Sequence, residues 1–128
     1  MKGEIIMTIE ECYRRLGGDY AQVLLRLPSA NLVKKFIAKF LDDCSFAELC
    51  RSMELGDRET AFRASHSLKG VCANLGLEQL RFSASDLTEL LRLQADAIPA
   101  GAWELLDRVR DDYQLTVDSI RAFLASEQ

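Results

Sequence analysis

Three glycine-centred stops cut this chain into lengths that suit helices. Gly17-Gly18, Gly56 and Gly76 each follow a run whose apolar residues recur every three or four positions. Asp19 and Asp57 stand directly after the first two stops, where an aspartate accepts from the free N–H groups of a new helix. Period-2 alternation never survives beyond a few residues, so no sheet is expected.

Between these stops the helices can be set out in order. Thr8-Ile9-Glu10-Glu11 has the pattern of a capping box, opening a short helix to Leu16. Asp19 caps a second short helix, which ends near Leu27 because the residue before Pro28 avoids helical geometry. Ser29 caps a third, with Leu32, Val33, Phe36, Ile37, Phe40 and Leu41 inward. Ser45-Phe46-Ala47-Glu48 is a second capping box, so this helix is expected to restart or kink there. The next helix covers 58–75 and closes on Gly76 as a left-handed cap. Another begins near Leu77 and uses Leu80, Ala84, Leu87 and Leu91, and the last carries Trp103, Leu106, Val109, Tyr113, Val117, Ile120 and Leu124.

Short connections between long amphipathic helices favour antiparallel neighbours. The expected fold class is therefore all-α: an up-down four-helix bundle over 29–54, 58–75, 77–95 and 101–125, with one or two short N-terminal helices over one end. Residues 1–128 are read as one domain, with 1–7 a loose segment and Ala125–Gln128 fraying.

His66 is the only histidine. At about 100° per residue it lies opposite the apolar stripe of Ala61, Ala64, Leu68, Val71, Cys72 and Leu75, and so faces water. Glu59, Phe62, Arg63, Lys69, Gly70 and Ala73 share its side of the wheel. Glycine within a helix costs about 1 kcal/mol against alanine, and helical side chains lean toward the N-terminus. A larger residue at 70 or 73 would lie across the imidazole, so Gly70 reads as clearance for a partner. Close helix packing is the competing explanation, but Gly70 is on the wrong face for it.

An exposed imidazole titrates near neutrality, and its neutral form is a nucleophile that can take up and return a phosphoryl group. That transfer depends mainly on positioning and charge compensation. Lys69 is one turn along, Arg63 is a second candidate cation, and Asn74 is an edge hydrogen-bond donor. Taken alone, a surface histidine among helical charges is most simply a solvated residue.

Other chemistries find little support. A net charge of −4 argues against a nucleic-acid surface, and no apolar run approaches the roughly 20 residues of a membrane span. The N-terminal residues lack the apolar stretch of a signal peptide, which points to the cytoplasm. The four cysteines, Cys12, Cys44, Cys50 and Cys72, have no zinc-type spacing and are expected to be reduced core thiols. There is no glycine-rich nucleotide loop.

The joint pattern is more specific. His66-Ser67-Leu68-Lys69-Gly70, followed by Leu75-Gly76-Leu77, resembles the signature of histidine-containing phosphotransfer (HPt) domains. Leu55-Gly56-Asp57 and Leu16-Gly17-Gly18-Asp19 extend the likeness over most of 8–95, while the last helix matches only in length and amphipathicity. The resemblance implies a phosphorelay intermediate without kinase activity of its own. His66 would be the phosphoacceptor and Lys69 the cation that compensates the phosphate. Phe62, Arg63, Gly70, Ala73 and Asn74 would be the docking surface, extended by Arg81, Ser85 and Thr88. Partners would be response-regulator receiver domains, a hybrid histidine kinase, or both. No cofactor is expected, since magnesium would belong to the receiver, nor is a metal, nucleic acid or membrane; the chain is expected to be a monomer. Val71-Cys72 departs from the small residues common there, on the inner face.

Three alternatives stay open: the phosphotransfer module of a chemotaxis-type kinase, a dimerising histidine-kinase helix pair, and a non-catalytic helical adaptor. Ser67 and the lack of proline after it argue against the second, and the presence of His66 argues against a degenerate adaptor.

Overall fold

A computed structural model describes residues 6–93 and 95–127 of the chain. Among them there are seven helices and no strands: α1 (Ile9–Leu16), α2 (Tyr20–Arg26), α3 (Ala30–Phe40), α4 (Ser45–Glu54), α5 (Arg58–Leu75), α6 (Glu78–Leu91) and α7 (Ala102–Ser126). The all-α helical-bundle reading holds.

Local sequence explains most boundaries. Thr8 Oγ1 accepts from the Glu11 N–H at 3.1 Å, and the Glu11 carboxylate accepts from the Thr8 N–H at 3.0 Å, completing the capping box. Asp19, Ser29 and Asp57 each accept at 3.1 Å from the backbone N–H three residues on. Gly17, Gly56 and Gly76 take positive φ at the helix ends, a conformation other L-residues adopt at a steric cost.

Three expectations about the elements need correction. The 29–54 segment is two helices separated by Leu41–Cys44, the restart expected at Ser45, but Ser45 does not cap α4. Cys44 occupies the N-cap without a side-chain bond, because the Asp43 carboxylate takes the Ser45 N–H at 2.9 Å and places Ser45 inside the helix. α6 stops at Leu91 rather than near 95. There the Arg58 guanidinium, from the first turn of α5, donates to the Leu91 and Ala95 carbonyls at 2.6 and 2.7 Å. The loose 1–7 segment falls mainly on residues 1–5, outside those described, but Met7 is buried. Its N–H donates to Ser126 Oγ at 3.1 Å, which also holds the end of α7 that was expected to fray.

α5 is the central element, packed between α4 and α6, with α6 against α7 and α1 along α7. Cross-helix pairs fix the directions. Arg58 meets Ala95 and Ser65 meets Thr88, so α5 and α6 run antiparallel. Gln79 meets Asp112 and Arg108 meets Asp86, giving the same relation for α6 and α7. Val33, Ile37, Leu49, Leu68, Leu80, Leu87, Val109 and Ile120 are all fully buried in one core. In α7 the inward residue of the last turns is Phe123, with Leu124 only partly buried and Trp103 at 43% exposure.

The two glycine turns meet. The Asp19 N–H donates to the Gly76 carbonyl at 2.8 Å, and the Gln79 N–H to the Gly17 carbonyl at 3.1 Å. A Cβ on Gly18 would sit 2.6 Å from the Gly76 oxygen, and one on Gly76 would sit 2.7 Å from the Asp19 oxygen. Tyr13 secures the same corner, donating its buried hydroxyl to the Leu75 carbonyl at 2.7 Å. The C-terminal end of α5 is thereby tied to the α1–α2 turn.

Candidate functional site

α5 buries one face and offers the other. Ala61, Ala64, Leu68, Cys72 and Leu75 face the core, while His66, Ser67 and Gly70 are exposed and Lys69 is half-buried. Next to His66 in the chain, Ser65 is fully buried. Its hydroxyl lies 3.0 Å from that of Thr88, and each is also within hydrogen-bonding reach of a carbonyl on its own helix. This buried pair sets the height of α6 against α5 and leaves no orphaned polar atom.

Around His66 the structure gathers side chains from both helices. The Phe62 ring stacks on the imidazole with centroids 6.0 Å apart and planes 17° from parallel. The Arg92 guanidinium lies over the Phe62 ring, 5.0 Å from its centre. Glu89 receives that guanidinium in a two-point contact of 3.1 and 3.0 Å. The Arg92 hydrogen bonds hold the Glu89 carboxyl below the usual carboxylate range, with the charges of Lys69 and His66 acting in the same sense. Lys69 enters none of the ion pairs among the described residues.

Gly70 has open space where a side chain would begin: a Cβ there would meet nothing within 4 Å. No neighbouring helix needs a glycine at this position, and the packing explanation lapses.

The remaining candidates are spread along α5. Arg63 is exposed, but its guanidinium turns toward the N-terminal end, 3.6 Å from Glu59 and 3.4 Å from Thr60 Oγ1. It does not stand beside the imidazole as a second cation. Ala73 and Asn74 lie roughly 10–12 Å farther along the axis at 1.5 Å per residue. Ala73 borders a hollow with Asp19, Gln22 and Arg81, while Asn74 lines a groove of about 720 Å³ with Leu27, Phe36, Phe40 and Val71. Thr88 is not outward at all, being fully buried against Ser65, and Arg81 is held by Glu78 at 2.6 Å. Ser85 is half-buried. Glu89 and Arg92 were missed. Their spacing of three was legible as an ion pair on one face, but not the fact that this face meets His66.

The cysteines follow the core reading in part. Cys12 and Cys72 are buried, and burial pushes their thiols up, that of Cys12 to about 11. Cys50 is half-buried and Cys44 is exposed, so Cys44 is not a core residue: it sits in the break between α3 and α4. No cluster of metal-ligating side chains occurs among the described residues, and no described helix is long and apolar enough to cross a membrane.

The model of the Hpt domain family matches residues 32–119, which is more than two thirds of the chain and includes α4, α5, α6 and His66. The match reaches through most of α7, where the sequence likeness was expected to fade, and leaves out α1 and α2. No curated protein and no solved structure matches the chain. With the helical bundle, the family match and the presented histidine in agreement, the chain belongs to the Hpt family and is a histidine phosphotransfer module of two-component signalling.

Proposed function

We propose that the protein is a phosphorelay intermediate that accepts a phosphoryl group on His66 from a receiver-domain aspartyl phosphate and passes it to another receiver. The observation that carries this reading is the exposed lone histidine with open space one turn along at Gly70, within the matched family span.

In the forward step an unprotonated ring nitrogen of His66 attacks the phosphorus in line with the departing carboxylate. A P–N bond forms, the acyl-phosphate P–O bond breaks, and the aspartate leaves as its carboxylate. The proton on the other ring nitrogen passes to solvent. Lys69, which enters no ion pair among the described residues, supplies positive charge to the phosphoryl oxygens. The reverse step repeats this chemistry with a second receiver. Magnesium belongs to the receiver, so the chain needs no cofactor and has no kinase activity of its own. Phe62, Gly70 and the flanking Arg63, Ala73 and Asn74 form the docking face, in a contact of transient size. The protein works in the cytoplasm as a monomer, since its core closes within one chain.

The test is transfer of label from receiver domains charged with radiolabelled acetyl phosphate and magnesium, comparing wild type with His66→Gln. Acid-labile, alkali-stable label on wild type alone is expected. Equal labelling of the variant, or no labelling of wild type by any receiver in a broad panel, refutes the reading.

A further inference from the structure

On a helix the +60° χ1 well clashes with the preceding turn, so an exposed histidine there has two open χ1 wells and a broad two-fold χ2, and its ring samples several directions in water. A docking receiver needs only one of them. What restrains the ring here is not a hydrogen bond from His66, and none occurs among the described residues. It is a stack of side chains drawn from two helices.

Phe62 is four residues before His66 and therefore its neighbour on the helix surface. It is half-buried and packed against the core, so its own ring is anchored from below. Its distance from the imidazole, 6.0 Å with planes 17° from parallel, is within the offset-stacked range for aromatic pairs. From α6, Arg92 places its guanidinium 5.0 Å from the Phe62 centroid, inside the reach of a cation–π contact. Arg92 is itself held by two contacts to Glu89, one turn back on α6. The order is thus Glu89, Arg92, Phe62, His66, with α6 fixed in height by the buried Ser65–Thr88 pair.

We infer that Phe62, braced by the Arg92–Glu89 pair of α6, is the positioning residue for the His66 ring, holding the imidazole in one orientation before a receiver arrives. Phe62 then does more than offer apolar area to a partner. Its removal lowers the rate of transfer within the docked complex, because the ring must find the productive orientation among those it is otherwise denied. Equal population of the two helical χ1 wells gives a loss of about twofold from χ1 and about fourfold if χ2 is freed as well. This inference rests on His66 being the phosphoacceptor, but the orientation of its ring can be measured independently.

The experiment compares the full-length wild type with Phe62→Leu, Phe62→Tyr and Arg92→Gln, each first shown to be folded by its thermal transition. Nuclear magnetic resonance of histidine-labelled protein reads the His66 χ1 couplings and the ring-current shift from residue 62. Single-turnover transfer is then measured across concentrations of the phosphorylated receiver that charges wild type. The expected result is one χ1 rotamer in wild type, averaged couplings in Phe62→Leu, and recovery in Phe62→Tyr. The saturating rate falls about two- to fourfold in Phe62→Leu with KM within twofold, is near wild type in Phe62→Tyr, and is intermediate in Arg92→Gln. Averaged couplings in wild type, a single rotamer in Phe62→Leu, or a loss confined to KM overturns the inference. If no receiver charges wild type, the phosphotransfer reading fails, while the couplings still decide whether Phe62 positions the ring.

Discussion

Gly70 separates stability from function more sharply than any other position. An exposed helix-interior glycine carries a penalty of roughly 0.8–1 kcal/mol relative to alanine, mostly backbone entropy. A Cβ at 70 would meet nothing within 4 Å, so no contact offsets the gain from replacing it. Gly70→Ala should therefore stabilise the fold by nearly the full propensity difference, about 0.8–1 kcal/mol. With an unfolding entropy of about 2.1 cal/mol/K per residue over 128 residues, that raises the melting temperature by roughly 3–3.7 °C. Gly70→Leu should stabilise almost as much, since leucine is nearly as good a helix former. Its side chain, however, leans over the preceding turn toward His66 and obstructs the approach of a receiver. The paired assays are thermal denaturation and receiver-to-histidine transfer at limiting receiver. The expected outcome is two stabilised variants, with transfer close to normal for alanine and at least tenfold slower for leucine. A fall in melting temperature for Gly70→Ala would mean that the glycine serves packing after all. Unimpaired transfer by Gly70→Leu would show that clearance over the imidazole is not what the glycine provides.

Lys69→Ala should slow transfer about tenfold or more, the worth of one charge-assisted hydrogen bond to the phosphoryl group, while stability stays within about 0.5 kcal/mol; a collapsed fold or an unchanged rate would contradict this. Tyr13→Phe removes the buried donor to the Leu75 carbonyl and should cost about 1–3 kcal/mol, seen as a lower urea midpoint at unchanged slope. Among the thiols, alkylation followed by mass spectrometry should find exposed Cys44 first, Cys50 slowly, and Cys12 and Cys72 only on unfolding. Burial raises the folded pKa of Cys12 from 9.0 to about 11 and moves Cys72 and Tyr13 in the same direction. The unfolded chain therefore loses these protons first, and stability should be fully present below about pH 9 and fall as pH rises toward and through 11. A flat urea midpoint across that window would refute the burial argument.

Helix ends, inward faces and the exposure of His66 were legible because they depend on neighbours within about four residues. Asp57 captures Thr60, Gly76 turns left-handed, and Leu80, Ala84, Leu87 and Leu91 fall inward whatever helix they meet. The cases that misled were those where a local pattern had a stronger local rival. Ser45-Phe46-Ala47-Glu48 satisfies the capping-box spacing, yet Asp43 takes the Ser45 N–H, and Arg63 turns to Glu59 in preference to His66.

What tertiary structure alone decided is the relative height of the helices. Periodicity tells which side of α6 is buried but not which of its turns lies level with His66. That register puts Thr88 against Ser65, out of solvent, and brings Glu89 and Arg92 to the Phe62–His66 stack from more than twenty residues away. The glycines show the same division. Each of Gly17, Gly18 and Gly76 reads as the end or start of a helix, while the meeting of the two turns, where a Cβ would collide with a backbone oxygen, arises only when the α1–α2 and α5–α6 turns are brought together. Backbone conformation answers to nearby residues, whereas contact between distant turns answers to how whole helices settle against one another. The exposure of His66 therefore belonged to the sequence, and its orientation to the fold.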